Sequence, residues 1–247
     1  MSKIILAARR SKQSEYLAAQ LNKQGRLAGV LWETGAQARR RKLKRYFKSS
    51  PLLWPLRLLD IAAITIFNMV VDKRMQTPQV PPSKIQEHTT SDINDLDAIT
   101  WLQQQKPTAL LVYGTAILSP PTITALGTKI LNIHSGILPT YRNVHSDFWA
   151  LMNRDYKNIG ISIIHLDAGI DTGDIALMQT LTVQPNDSLI AIKRRLLDLT
   201  VELSLKACAD LSQNQLPKLV QTKGAAQMYN TPTLLDILRF IIQRRGL

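Results

Sequence analysis

The opening stretch from Lys3 to Trp32 sets the strongest limit on the fold. Lys3 to Ala8 is an apolar run of strand length, and Leu27 to Trp32 is another. Between them Ser14 to Gln24 has the apolar spacing of an amphipathic helix, with Ser11 or Ser14 placed near its cap. This is a β-α-β opening, the unit from which α/β sheets with flanking helices are built. The turn after the first strand, Ala7-Ala8-Arg9-Arg10-Ser11, has none of the glycines that let a backbone approach a pyrophosphate. NAD and FAD are therefore not expected.

Most residues able to do chemistry fall between Lys129 and Gln179. Ile130, Leu131 and Ile133 read as a buried strand, and the side-chain period of two places Asn132 and His134 on one face. Ile161, Ile163 and Ile164 form a second apolar strand that runs into a glycine-punctuated loop carrying Asp167, Asp171 and Asp174. An amide, an imidazole and a carboxylate can thus converge. Acyl transfer to an amine uses such a set: the amide polarises a carbonyl, the imidazole stabilises an oxyanion or moves a proton, and the carboxylate holds the imidazole charged. The spacing leaves a plainer alternative open, in which Asn132 closes a turn, His134 sits satisfied in the core and Asp171 caps a turn beside Gly169 and Gly173.

Asn-Ile-His-Ser-Gly-Ile-Leu-Pro-Thr-Tyr-Arg at 132–142, followed by Asp-Ala-Gly-Ile-Asp-Thr-Gly-Asp-Ile at 167–175, resembles the formyltransferase family that uses 10-formyltetrahydrofolate. Two separated motifs in the right order make the resemblance specific. It implies an α/β, Rossmann-like formyltransferase fold with a mostly parallel central sheet flanked by helices, plus a helical insertion. It implies 10-formyltetrahydrofolate as the formyl donor, with no metal. Asn132, His134 and Asp171 match the family's catalytic residues. Thr115, Ala116, Ile117 and Leu118 match its folate pocket, together with Asp167, Ala168, Gly169, Thr172 and Gly173. The family usually has glycine after the motif's arginine, whereas this chain has Asn143, a residue that tolerates a left-handed backbone. His145 and Asp147, just beyond, read either as acceptor-facing groups or as surface polar residues.

On this reading residues 1–215 form the catalytic domain, interrupted by an insertion at 36–76, and residues 216–247 form a tail that ends in a helix. The chain carries 31 basic and 18 acidic side chains, a net charge of +13 that favours anionic partners. Eight of the basic residues, Arg39, Arg40, Arg41, Lys42, Lys44, Arg45, Lys48 and Arg57, come with no acidic residue among them. An apolar run from Leu52 to Phe67 follows the start of that cluster. A basic then apolar segment can lie on an anionic membrane surface through residues 39–71, or its apolar stripe can pack on the domain. Pro55, Arg57, Asp60 and Asn68 interrupt it, so a membrane span is not expected. His134, His145 and His165 lack the spacing of a zinc site.

The single cysteine, Cys208, can form no internal disulfide, suits a reducing compartment, and reads as a buried small residue. The apolar run before Arg9 is too short for a signal-peptide core. The expected location is the cytoplasm, with peripheral contact at the inner membrane face through the insertion. Further along, Lys84 to His88 reads as a strand, Asp92 or Asn94 as the cap of a helix from Leu96 to Gln105, and Ala109 to Gly114 as a core strand. Pro120 and Asp147 start short helices, Leu181 to Val183 finishes a strand, and Asp187-Ser188 opens a long helix to Leu211. Leu234 to Gln243 is the last helix.

The tail is short for the extra domain of tRNA-formylating relatives, and purine-pathway relatives lack an insertion like 36–76. The resemblance therefore points to an amino-sugar amine, carried on a nucleotide or a polyprenyl phosphate, and away from nucleic acid. A hydrolase that passes the formyl group to water and a non-catalytic binding module are the rival classes. Self-association as a homodimer is left open.

Overall fold

The computed structural model describes residues 3–47, 51–80, 85–184, 186–222 and 226–243. Strand β1 (Ile4–Arg9), helix α1 (Lys12–Lys23) and strand β2 (Leu27–Glu33) form the opening unit. Ser11 caps α1, accepting from the Ser14 N–H at 3.2 Å, while the Ser14 hydroxyl accepts from the Ser11 N–H at 2.9 Å. This reciprocal box satisfies two donors that a helix start otherwise leaves open. Leu17, Ala18 and Leu21 then bury one face of the helix.

The insertion follows as α2 (Ala36–Phe47), a short 3-10 turn (Pro51–Leu53) and α3 (Trp54–Met75). The chain returns to regular structure in β3 (Gln86–Thr90), α4 (Leu96–Gln105), β4 (Ala109–Tyr113), α5 (Pro120–Leu126) and β5 (Lys129–His134). Next come β6 (Tyr141–Asn143), α6 (Ser146–Met152), β7 (Gly160–His165), β8 (Ile175–Thr180), α7 (Leu189–Ser212), β9 (Gln227–Tyr229) and α8 (Leu234–Gln243). The main sheet has seven strands in the order β3-β2-β1-β4-β5-β7-β8, and β6 pairs with β9 in a small second sheet. Pairing is parallel from β3 to β5 and antiparallel from β5 through β7 to β8. This is the α/β, mostly parallel architecture expected of the motifs.

Alternation along β1 shows how the sheet is covered. Ile4, Leu6 and Ala8 join a large core with residues of α1, α3, α6, α7 and α8, whereas Ile5 and Ala7 join a smaller core with Ala98 and Leu102 of α4. Cys208 lies fully buried in the larger core. One face of α3 belongs to that core too, through Phe67, Val71 and Met75. The Phe67 ring meets Phe148 and Phe240 edge-on, with centroids 5.9 and 6.2 Å apart. Arg194 of α7 closes the C-terminus of α3, donating Nε to the Met75 carbonyl at 2.8 Å and Nη2 to the Arg74 carbonyl at 3.0 Å. A guanidinium there satisfies free carbonyls and complements the negative end of the helix dipole.

Some local expectations change. The N-cap of α4 is Asp95, without a side-chain cap bond. Asp92 instead accepts from the Asn94 backbone and side-chain amides and pairs with Arg41, while Asn94 accepts from Ser119 and Thr122. Strand β8 ends at Thr180, and Leu181 continues as irregular chain whose N–H bonds the Ile159 carbonyl at 2.7 Å. The small β6–β9 sheet has no clear alternation in its three-residue strands. Lys48, Pro81, Pro82 and Lys84 lie outside the described residues.

Candidate active site

Strand order changes direction at β1, whose two neighbours are β2 and β4, so crossovers leave in opposite directions and a crevice opens beyond the strand ends. A cleft of about 340 Å³ lies there, lined by the ends of β4 and β5 and by the loops after β4, β6 and β7. Asn132 and His134 both line it, as the two-residue period of β5 requires. Asp171 reaches it from the loop after β7, which pairs antiparallel with β5.

The three side chains meet. Asn132 Nδ2 donates to Asp171 Oδ1 at 3.1 Å, and His134 Nδ1 lies 3.5 Å from Asp171 Oδ2. The other ring nitrogen, His134 Nε2, donates to the Tyr141 carbonyl at 2.7 Å. Ser146 Oγ lies 3.2 Å from that nitrogen. Each ring nitrogen thus faces an oxygen atom. His134 is 6% exposed. Gly136 makes this packing feasible, since a Cβ there would stand 2.5 Å from Ser146 Cβ and 2.9 Å from His134 Nε2.

Three non-glycine residues around the cleft hold left-handed backbones: Asn143 (φ 75°), His145 (φ 57°) and Asp171 (φ 52°). Such residues cost roughly 1–3 kcal/mol each and persist where their surroundings over-determine them. The bracing is visible. Asp171 Oδ2 accepts from the Asn143 N–H at 2.8 Å, and Asn143 Nδ2 donates to the Tyr229 carbonyl at 2.7 Å. Gln221 Nε2 donates to the carbonyls of Asp171 and Gly173 at 3.0 and 2.7 Å. Tyr229 also stacks on Tyr141 and Trp149, with centroids 5.1 and 5.2 Å away. Tail residues therefore brace the loop that carries Asp171. Gln221 and Ser146 touch the candidate site without carrying a sequence pattern that would single them out.

Thr115, Ala116, Ile117 and Leu118 line the wall opposite, with Asp167 and Gly169. Ala168, Thr172 and Gly173 are not among the lining residues. Thr172 donates its hydroxyl to the Asp167 carboxylate at 2.7 Å, and the Gly169 N–H donates to it at 3.0 Å, so this group shapes the loop from within. A Cβ on Gly173 would lie 1.7 Å from the His165 carbonyl oxygen, so only glycine lets the loop close on β7. The 115–118 wall hangs on Glu33, a fully buried carboxylate that accepts from the Ala116 N–H at 2.9 Å and the Ile93 N–H at 3.1 Å. Arg9 Nη2 reaches the same carboxylate at 3.4 Å. An acid ending an otherwise apolar strand is the signal that marks it in the sequence.

His145 lines the cleft, while Asp147 is buried beneath it and paired with Lys193. Burial pushes the Asp147 carboxyl up, but the charge and hydrogen bond of Lys193, with the His145 charge and the Phe148 N–H, outweigh that and hold it below its ordinary range. The phenol of Tyr113, a cleft residue, is pushed up to about 12, first by burial and then by the Asp147 charge. It stays neutral across physiological pH. His165 lies on the far side of its strand, donating to the Pro217 carbonyl at 2.8 Å. Among the described residues, no three His, Cys, Asp or Glu side chains are grouped to hold a metal ion.

A formyl transferase family model matches residues 69–208. The methionyl-tRNA formyltransferase of Methylacidiphilum infernorum is 35% identical over 137 residues, which cover 55% of this chain and 42% of that protein. The chain thus matches less than half the length of that relative. The fold resembles that of a sugar N-formyltransferase from a Shewanella species, with a TM-score of 0.60 at 10% identity, covering 98% of this chain and 87% of the other. It also resembles a formyltransferase of Anoxybacillus kamchatkensis solved with UDP-4,6-dideoxy-4-formamido-L-AltNAc and tetrahydrofolate. There the TM-score is 0.54 at 14% identity, covering 92% of this chain and 85% of the other. At these identities the structural likeness is one of fold.

Proposed function

Because this chain belongs to the formyl transferase family, we propose that it moves a formyl group from 10-formyltetrahydrofolate to the amine of an amino sugar carried on a nucleotide or a polyprenyl phosphate. The observation that carries this reading is the convergence of Asn132, His134 and Asp171 at the mouth of one cleft. The donor is a co-substrate, consumed in each turnover. The cleft suits it: Val112, Ile117, Leu118, Ile164 and Leu166 offer apolar walls for a flat ring, and backbone groups of the 115–118 loop offer polar edges.

In this reading a neutral acceptor amine attacks the formyl carbon. The new carbon–nitrogen bond forms first, giving a tetrahedral oxyanion that collapses as the bond to the folate nitrogen breaks. Asn132 uses one amide hydrogen to hold Asp171 and offers the other to the formyl oxygen. His134, held between Asp171 and the Tyr141 carbonyl, stabilises the developing oxyanion. It also helps move the proton lost by the amine to the departing nitrogen. Asp171 positions both partners and is fixed in turn by Asn143 and Gln221. Ala168, Thr172 and Gly173 act on the donor pocket through the shape of their loop. The working location is the cytoplasm.

The fold relatives that act on sugars support the acceptor class, and the basic surface suits a phosphate-bearing carrier. Methionyl-tRNA as acceptor is the second reading, favoured by the 35% identity to a tRNA-formylating enzyme. Release of tetrahydrofolate from 10-formyltetrahydrofolate, with and without nucleotide-linked amino sugars or methionyl-tRNA, tests both. Acceptor-dependent release with a formylated sugar seen by mass spectrometry is expected. Formate release without an acceptor would move the reading to a hydrolase.

A further inference from the structure

Helix α3 is long and apolar enough to cross a bilayer by length and composition, yet one face is already committed to the domain core. Its opposite face is open. Leu58, Leu59, Ile66 and Met69 follow each other at helical spacing and are 52–66% exposed, and Leu52 and Leu56 near the start of the segment are 89% and 65% exposed. Soluble helices usually turn polar residues to water, so an apolar outer stripe over four turns calls for a partner. Helix α8, packed on α3, exposes Leu235, Leu238 and Ile242 as well.

The charge beside the stripe identifies the partner. Helix α2 contacts α3 and carries six basic side chains and no acidic one. From Arg39 to Leu59 the chain holds eight basic residues and no acid. Two copies meeting through this face would bring like charges together, whereas anionic headgroups would neutralise them. We propose that α3 lies in the plane of an anionic bilayer, its outer stripe in the acyl boundary and α2 against the headgroups.

The helix does not span. Crossing would pull Phe67 from Phe148 and Phe240, break the Arg194 bonds to its last carbonyls, and bury Arg57 and Asp60. Asp60 also anchors α8 by accepting from the Leu234 N–H at 2.8 Å. Docking on this face leaves the cleft unblocked, because Phe67 on the opposite, core-facing side of α3 touches Phe148 of α6, the helix that starts beside the cleft residue His145. A lipid-linked acceptor becomes accessible, although the docking itself does not depend on formyl transfer.

The test uses the full chain with vesicles of phosphatidylcholine alone and of equal parts phosphatidylcholine and phosphatidylglycerol. Co-sedimentation with the anionic vesicles only, lost in high salt, is expected. Leu59→Glu with Ile66→Glu removes binding while circular dichroism and thermal unfolding stay native, since both side chains point outward. Arg40→Glu with Lys44→Glu, two exposed positions of α2, weakens partitioning by roughly 25-fold or more, at about fivefold for each basic residue lost. Absence of binding, or equal binding by these variants, overturns the proposal. So does a dimer in sedimentation that the Leu59 and Ile66 substitutions dissociate, which would assign the face to a second copy.

Discussion

The carboxylate of Glu33, at the end of β2, accepts a hydrogen bond from the backbone N–H of Ala116 at 2.9 Å. Ala116 lines the cleft, while Glu33 lies 0% exposed behind it. One buried acid thus fixes the wall assigned to the folate donor, and Arg9 partly balances its charge. Glu33→Ala leaves two backbone donors unpaired and is expected to lower stability by about 1–3 kcal/mol. Donor KM should rise roughly tenfold, as for the loss of one charge-assisted hydrogen bond, while kcat changes little. Glu33→Gln, which keeps an acceptor, should recover part of both. Steady-state kinetics with thermal unfolding of the two variants decides it, and a loss confined to kcat would contradict a positioning role.

Asn132 donates a hydrogen bond to Asp171 and His134 lies at ion-pair distance from it, so the three should act as a unit. Replacing His134 with Ala is expected to lower kcat by about 10²- to 10⁴-fold. Replacing Asn132 with Ala is expected to cost about 10²- to 10³-fold. The double variant should lose far less than the product, because each partner orients the other. Single-turnover formyl transfer measures this. Strict additivity would mean that the two residues work independently.

Much of this site is legible in the sequence because it follows from periodicity. Asn132 and His134 share a face simply because a strand alternates, and Asp171 arrives from the next strand's loop. Helices α4 and α8 keep their expected bounds for a similar reason: each has a strong apolar period with polar ends. The missing parts depend on the third dimension. Gln221 lies 50 residues from Asp171 and holds it through its backbone carbonyl, which no side-chain pattern encodes. The cap of α4 fell to Asp95 because Asp92 and Asn94 are engaged with Arg41, Ser119 and Thr122. For α3 the sequence offered membrane contact or packing as alternatives, and a helix apolar on both sides leaves room for both.

Cys208 sits 0% exposed in the larger core, and burial pushes its thiol up to about 12, against a smaller opposing effect of Arg26. The thiolate is the reactive form, so the native protein should not react with an aromatic disulfide reagent near neutral pH. Reaction should begin only with unfolding, and its rate should follow denaturant concentration. Rapid stoichiometric labelling of the folded chain would show that the helix opens locally.

Asp147 and Lys193 form an ion pair under the cleft, and their removal has a sign that pH can read. Burial raises the Asp147 carboxyl, but Lys193, the His145 charge and the Phe148 N–H together more than compensate, so its folded value lies below the unfolded one. A depressed carboxylate binds fewer protons in the folded state, so its stabilisation is present above the unfolded pKa of about 4. It is lost as pH falls through the folded value. Lys193→Met removes the main depressing partner, so burial, the largest single influence, stands against only the His145 charge and the Phe148 N–H and is expected to lift the folded value above the unfolded one. Stability should then fall as pH rises from about 4 towards neutrality, opposite to the wild type. The substitution should cost about 3–5 kcal/mol at neutral pH, because the carboxylate is left buried and unpaired. Asp147→Asn in the same background should return part of the loss and flatten the pH dependence. Urea denaturation of the three proteins at several pH values measures all of this, and parallel pH profiles for the wild type and Lys193→Met would rule out the pair as the source.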